Sequence, residues 1–141
     1  MVKLHISENR GLALAILWIF MITNVLFKDV HELAKASTIN EILSGYFYGN
    51  PVTDIAIFLG AFGVEIMLLA VPISVLAAHK IARRYNLFAS VVMLPTSLLV
   101  PPRDMDDYFF AVVTVVTLII IFSVAWLWKA ADTSRAGQSY A

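Results

Sequence analysis

Apolar residues along this chain fall into four long blocks with almost no charge inside them, at 11–27, 55–78, 86–100 and 108–128. Crossing a bilayer core of ~30 Å takes ~20 helical residues, or ~17 at the lower limit. The first, second and fourth blocks are long enough. The third, at 15 residues, needs flanking residues or local thinning of the bilayer. The pattern predicts an all-α fold: a polytopic membrane protein whose four-transmembrane-helix bundle fills 1–130 as one domain. A polar cytoplasmic tail is expected at 131–141.

The segment between the first two blocks, 28–53, is too long for a simple turn. Leu33, Ala36, Ile39, Ile42 and Leu43 recur near helical spacing, with Glu32, Lys35, Asn40 and Glu41 between them. That predicts a short amphipathic helix on the outer interface. Tyr46, Phe47 and Tyr48 suit the headgroup zone, and Gly49-Asn50-Pro51 makes a turn. Thr53 or Asp54 is the expected N-cap of the second long helix, and Asp106 or Asp107 that of the last. Pro101-Pro102-Arg103-Asp104 forms a tight break, and Trp126 and Trp128 mark the far membrane boundary. Pro72 and Pro95, inside helices, predict kinks. Arg10 and Ala34-Lys35-Ala36 loosely mimic a signal peptide and its cleavage site. The apolar stretch is too long for an h-region, so a retained first helix is expected.

Composition agrees with a membrane class. Hydrophobic residues are 60% and charged residues 14% of the chain, against about 45–50% and about 25% in soluble domains. The absence of cysteine excludes thiolate chemistry, disulfide exchange and Cys-ligated metal in this chain. Zero formal net charge offers no field for nucleic acid. One side of a four-crossing arrangement carries Lys3, Arg10, Lys80, Arg83, Arg84, Lys129 and Arg135, and the other only Lys28, Lys35 and Arg103. The positive-inside rule then places both termini of this multi-pass chain in the cytoplasm. The cluster His79–Arg84 reads as a topology anchor at lipid headgroups or as a site for anionic lipid or a partner. The outer side is acidic, with Asp29, Glu32, Glu41, Asp54, Asp104, Asp106 and Asp107. It reads as a cation-attracting vestibule or as solvated loop chemistry.

Glu65 is the outstanding polar residue, near the middle of the second block. An ionisable group there costs about 2.5–3.5 kcal/mol on insertion scales. It reads as a proton- or ligand-binding carboxylate, or as an acid that holds helices together by hydrogen bonds. Asn24, Thr114, Thr117 and Ser97, with Thr96, fall in the same outer half and suggest an outward-opening polar pocket, or ordinary hydrogen-bonded packing. Ala56, Gly60 and Gly63 make one small-residue stripe, nearly opposite Glu65 at 100° per residue. Such a stripe suits close helix packing, and a homodimer through this face is one way to use it. His31 with Asp29 and Glu32 matches no strong metal motif, and neither metal nor cofactor is expected. No Gly-rich phosphate loop, nucleophilic triad or catalytic carboxylate pair can be assembled.

Leu17–Asn24 followed by Asp29, then Gly49–Thr53, Gly60-Ala61 leading to Glu65-Ile66, and a last helix ending Trp126–Lys129 together resemble an uncharacterised family of small four-helix prokaryotic membrane proteins, similar in layout to DoxX-like proteins. The resemblance spans nearly the whole chain. It implies four helices and an inner-membrane location, and it carries over no activity.

Three functions follow as expectations. The first is a non-enzymatic bundle that binds a lipid, a small hydrophobic ligand or a membrane partner through a pocket around Glu65. The second is an oligomeric proton- or cation-coupled transporter with Glu65 as the coupling carboxylate. The third is a membrane enzyme acting on a lipid or quinone, for which the acid–base constellation is lacking.

Overall fold

The computed structural model describes residues 9–99 and 102–129. The tail expected at 131–141 lies outside the described residues, as do Val100 and Pro101. Apart from short connections, the described residues are helical with one small hairpin: α1 (Arg10–Leu33), α2 (Ala36–Leu43), β1 (Tyr46–Phe47), β2 (Asn50–Pro51), α3 (Asp54–Leu76), α4 (His79–Leu99) and α5 (Met105–Trp126). Three of these, α1, α3 and α5, are long and apolar enough to cross a membrane.

Two boundaries depart from the hydropathy pattern. The first helix continues past Phe27 to Leu33, because Lys28, Asp29, His31 and Glu32 end the apolar block without breaking a helix. Likewise α4 starts at His79 rather than Asn86, so the basic cluster forms its first turns instead of a loop. The expected amphipathic segment is α2, with Leu33 given up to α1. Thr53 caps α3, its Oγ1 accepting from the Ala56 amide at 3.2 Å. The cap of α5 is Asp104, not Asp106 or Asp107. Its side chain precedes the first helical residue and so can reach back to the Asp107 N–H, at 3.1 Å.

The hairpin pairs Tyr46 with Pro51 and Phe47 with Asn50, leaving Tyr48 and Gly49 as the two-residue turn. Both have positive φ, 52° and 75°, as a type I′ turn requires. Gly49 meets this freely, whereas Tyr48 is held there by the contacts of its ring and hydroxyl described below.

Helix α1 packs against α3 and α5, and α4 packs against the same two. The half of the bundle far from α2 is closed. Leu14, Trp18, Ala70, Ala89, Ile121 and Ala125 are fully buried or nearly so there, the alanines letting backbones approach. At Gly11 an added Cβ would lie closer than 3.0 Å to the Ser74 carbonyl oxygen, so α1 and α3 are in backbone contact at that point. A buried polar knot crosses this half. Trp18 Nε1 donates to Asn86 Oδ1 at 2.6 Å, while Asn86 Nδ2 donates to Ser74 Oγ at 2.9 Å and to Ala82 O at 2.8 Å. Each polar atom so placed in an apolar core has its partner. The last carbonyls of α5, orphaned by helix geometry, accept from two arginines. Arg83 reaches Ala125 O and Trp126 O at 3.1 and 3.2 Å, and Arg10 reaches Leu127 O. Outside, Ile55, Phe58, Leu76, Phe109 and Val112 are all more than half exposed. A surface of that kind suits lipid rather than water.

Candidate functional site

The half of the bundle near α2 is hollow. A partly open cavity of about 430 Å³ lies among α1, α3, α4 and α5. Met21, Met67 and Met93 line its deep end, and Leu59, Val64 and Ala111 contribute apolar wall. Gly60 and Gly63 also line it. An added Cβ at Gly60 would meet nothing within 4 Å, and at Gly63 only Met93 Cε at 4.0 Å. These glycines therefore leave space. Lys28, Asp29 and Asp107 supply charge at the end near α2.

That end is covered by a polar cap built from α2 and the hairpin. The Tyr48 hydroxyl accepts from Lys28 Nζ at 3.4 Å and donates to Asp107 at 3.4 Å, and Lys28 lies 3.5 Å from the Asp107 carboxylate. The Arg103 amide also donates to Asp107 at 3.0 Å. Lys28 and Arg103 both stack on the Tyr48 ring, at 5.2 and 4.4 Å from its centre. Burial, and then the Asp107 charge, push the Tyr48 hydroxyl above its ordinary range, so it stays protonated and able to donate. Arg103 also pairs with Glu41 at 2.9 Å, and Glu41 accepts from the Gly49 amide at 2.6 Å. The Arg103 hydrogen bond, aided by that amide, holds the Glu41 carboxyl below the usual carboxylate range.

A second cluster lies beside the cap. Carboxylate oxygens of Glu32, Asp104 and Asp106 come within 4.8 Å of one another. Lys35 Nζ sits among them at 2.6, 2.5 and 3.1 Å, where a bound cation would otherwise lie. Its hydrogen bonds to Asp104 and Glu32 raise the Lys35 pKa, and Lys35 in turn lowers that of Asp104. His31 Nε2 meets Asp106 at 3.0 Å rather than Asp29 or Glu32. A second cavity of about 300 Å³ opens between the end of α1 and the cap, lined by Asp29, Glu32, Leu33, Ile42, Phe47 and Val52.

The residues singled out from sequence are only partly gathered here. Thr114 lines the main cavity and its Oγ1 accepts from Asn24 Nδ2 at 3.0 Å. Ser97 also lines it, although its hydroxyl donates back to Leu94 O at 2.7 Å. Thr117 is buried one turn deeper and bonds to Val113 O at 2.7 Å. Glu65 lines neither cavity and is exposed on α3. The pocket expected around Glu65 is instead centred on Lys28, Asp107 and the methionines, because α3 turns its glycine face, not its carboxylate, toward the other helices. Ala56 is exposed at the start of that face. Sequence reading missed the site roles of Lys28, Tyr48 and Asp107. Asp107 carried a weak signal as the last of three acids before an apolar helix, more than one cap requires.

The chain belongs to a family of unknown function (DUF6326), whose model matches residues 1–135. No curated protein and no solved structure matches the chain.

Proposed function

We propose that this member of the family is an integral membrane protein that crosses the bilayer four times and holds an amphipathic ligand in the cavity among α1, α3, α4 and α5, without carrying out chemistry on it. The observation that supports this reading is the cavity itself: about 430 Å³, apolar over most of its wall and charged at one end. Ligand sites have this make-up, a mostly apolar lining with a few placed polar groups. Glycines at 60 and 63 keep it open.

The fourth crossing is α4. Its 21 residues span ~31 Å at 1.5 Å per residue, of which the apolar part, 86–99, covers ~21 Å, so flanking residues or local thinning of the bilayer make up the rest of a ~30 Å core. It lies against two helices that are themselves apolar enough to span. Its basic first turns then sit at the headgroups, where Arg84 snorkels and Arg83 caps α5. The Lys and Arg distribution favours an orientation with this end and both termini in the cytoplasm and the cap outside, and the resemblance to DoxX-like proteins favours the inner (plasma) membrane. Membrane lipids are the most available ligands of this kind.

Native mass spectrometry after release from mild detergent tests the reading. The expected result is a defined extra mass on the wild-type chain that is absent from Gly60→Leu, whose side chain would project into the cavity and narrow it. A wild-type chain that carries nothing, and takes up no supplied lipid, refutes it.

The oligomeric transporter is the second reading, and one observation favours it. Glu65 sits at the centre of α3, exposed, with no hydrogen-bond or ion-pair partner among the described residues. In a bilayer that position costs about 2.5–3.5 kcal/mol, which a neighbouring copy covering the Glu65 face relieves. Since Gly60 and Gly63 wall the cavity, the homodimer face in this reading is the Glu65 face rather than the stripe of Ala56, Gly60 and Gly63.

A further inference from the structure

Asp29 is the residue that the two cavities share. We propose that it is the counter-charge for a hydrophobic organic cation, an amine, quaternary ammonium or phosphonium, whose charged centre lies beside Asp29 while its apolar part fills the methionine-lined chamber. This rests on the cavity being a ligand site and names the ligand's class.

The first support is the state of the neighbouring carboxylates. Glu32 is met by Lys35 and Thr38, Glu41 by Arg103, Asp104 and Asp106 by Lys35, and Asp107 by Lys28, Tyr48 and the Arg103 amide. Asp29 alone in this group has no hydrogen bond or ion pair among the described residues. Lys28, its neighbour in sequence, is directed to Tyr48 and Asp107.

The second support is the balance of charge. Asp29 and these five carboxylates share the cap with three permanent cations, Lys28, Lys35 and Arg103. The cap thus carries excess negative charge, which repels an anionic headgroup and attracts a cation.

The third support is what surrounds Asp29. Leu33, Ile42, Phe47 and Val52 form the wall of the smaller cavity. Metal ions such as Ca²⁺ need about 6–8 oxygen ligands, and this wall offers few. A weakly hydrated organic cation needs no ligand sphere. It is held by one carboxylate, by apolar contact and by an aromatic face such as that of Phe47. The Tyr48 ring, with two cations already on it, shows the same attraction at work in the cap. At the other end, Met21, Met67 and Met93 are flexible and polarizable, and adapt to bulky apolar groups.

Tetraphenylphosphonium and tetraphenylborate are close in size and shape and opposite in charge, and they make the test. Saturable binding of each is measured by equilibrium dialysis to the full chain in phosphatidylcholine nanodiscs, with empty nanodiscs subtracted. The cation is expected to bind at least tenfold more tightly than the anion. Asp29→Asn is expected to lose tenfold or more of cation affinity, and Asp29→Glu to retain most of it, with thermal unfolding of both variants matching wild type. Gly60→Leu is expected to weaken cation binding tenfold or more by narrowing the chamber. Equal cation binding by wild type and Asp29→Asn overturns the proposal. If in addition Gly60→Leu weakens both probes, the cavity is a ligand site without charge selection. If wild type binds neither probe saturably, the proposal falls, while the ligand-site reading beneath it is decided separately by the lipid mass test above.

Discussion

Replacing Gly11 with alanine is expected to destabilise the bundle, while the same change at Gly60 is not. The two glycines face opposite physical situations although both lie in apolar helices. At Gly11 the new Cβ would come closer than 3.0 Å to the backbone carbonyl oxygen of Ser74 and to 3.4 Å from the Trp128 ring. A backbone carbonyl cannot rotate away, so α1 and α3 must separate. That movement also loosens the knot in which Trp18 on α1 and Ser74 on α3 both bond to Asn86. At Gly60 the new methyl enters open space. Alanine's helix-propensity gain over glycine applies in full at Gly60, inside α3, and less at Gly11, in the first turn of α1, so it widens the difference rather than opposing it. The overpacking term itself is about 1–3 kcal/mol, or roughly fivefold to more than a hundredfold in the unfolding constant. Reversible unfolding of both variants in the same micelles, followed by circular dichroism against denaturing detergent, reads that difference directly. Coincident transitions, or a Gly60→Ala variant less stable than Gly11→Ala, would refute the assignment of close contact to one glycine and open space to the other.

Further predictions concern the knot, the cap and the exposed acid. Asn86→Leu strands the fully buried Trp18 N–H and is expected to cost about 1–2 kcal/mol; the double variant Trp18→Phe with Asn86→Leu should recover most of it in the same unfolding assay. Glu41 is held below the usual carboxylate range by Arg103. Its contribution to the cap is therefore present above the ordinary carboxyl value of ~4.3 and lost as pH falls through the depressed one. Hydrogen-exchange protection of the Gly49 amide should fall on that acidification in wild type, and be low and insensitive to pH in Glu41→Gln. Cysteine crosslinking in membranes from positions flanking Glu65, such as Phe62→Cys, should give a dimer if a second copy covers that face; monomer at every position would end the oligomeric reading.

The long helices were legible because lipid-compatible blocks must be helical when their backbone groups have no other partner. Their ends were not, since hydropathy reports where apolar residues stop and not where hydrogen bonding does. His31 and Glu32 at one end, and His79, Lys80, Arg83 and Arg84 at another, are polar and still helical. Opposition of Glu65 and the glycines on α3 followed from 100° per residue. Which face turns inward depended on neighbours that no local pattern specifies. Small residues carried a further ambiguity, because a glycine either admits a backbone, as Gly11 does, or leaves a space, as Gly60 does. Asp107 looked like a cap because it stands in the first turn of an apolar helix. Only the folded chain brings Tyr48 and Lys28 to it.

The unequal halves of the bundle bear on the choice between binding and transport. Any through path from the cavity must pass the closed half, where Leu14, Trp18, Ala70 and Asn86 are fully buried and Trp18, Asn86 and Ser74 are bonded together. Opening it means breaking those bonds in an apolar environment and separating α1 from α3 at Gly11. A ligand that only binds needs neither change, and enters and leaves from the hollow half. The two readings therefore predict opposite responses to loosening the knot. If the chain transports, Asn86→Ala in liposomes should change the flux of a hydrophobic cation along with stability. If it binds and releases on one side, Asn86→Ala should lower stability, leave cation binding in nanodiscs near wild type, and produce no flux above that of empty liposomes. Cation flux by the wild-type chain, lost on Glu65→Gln while Asp29-dependent binding persists, would reverse the order in which the two functions are placed.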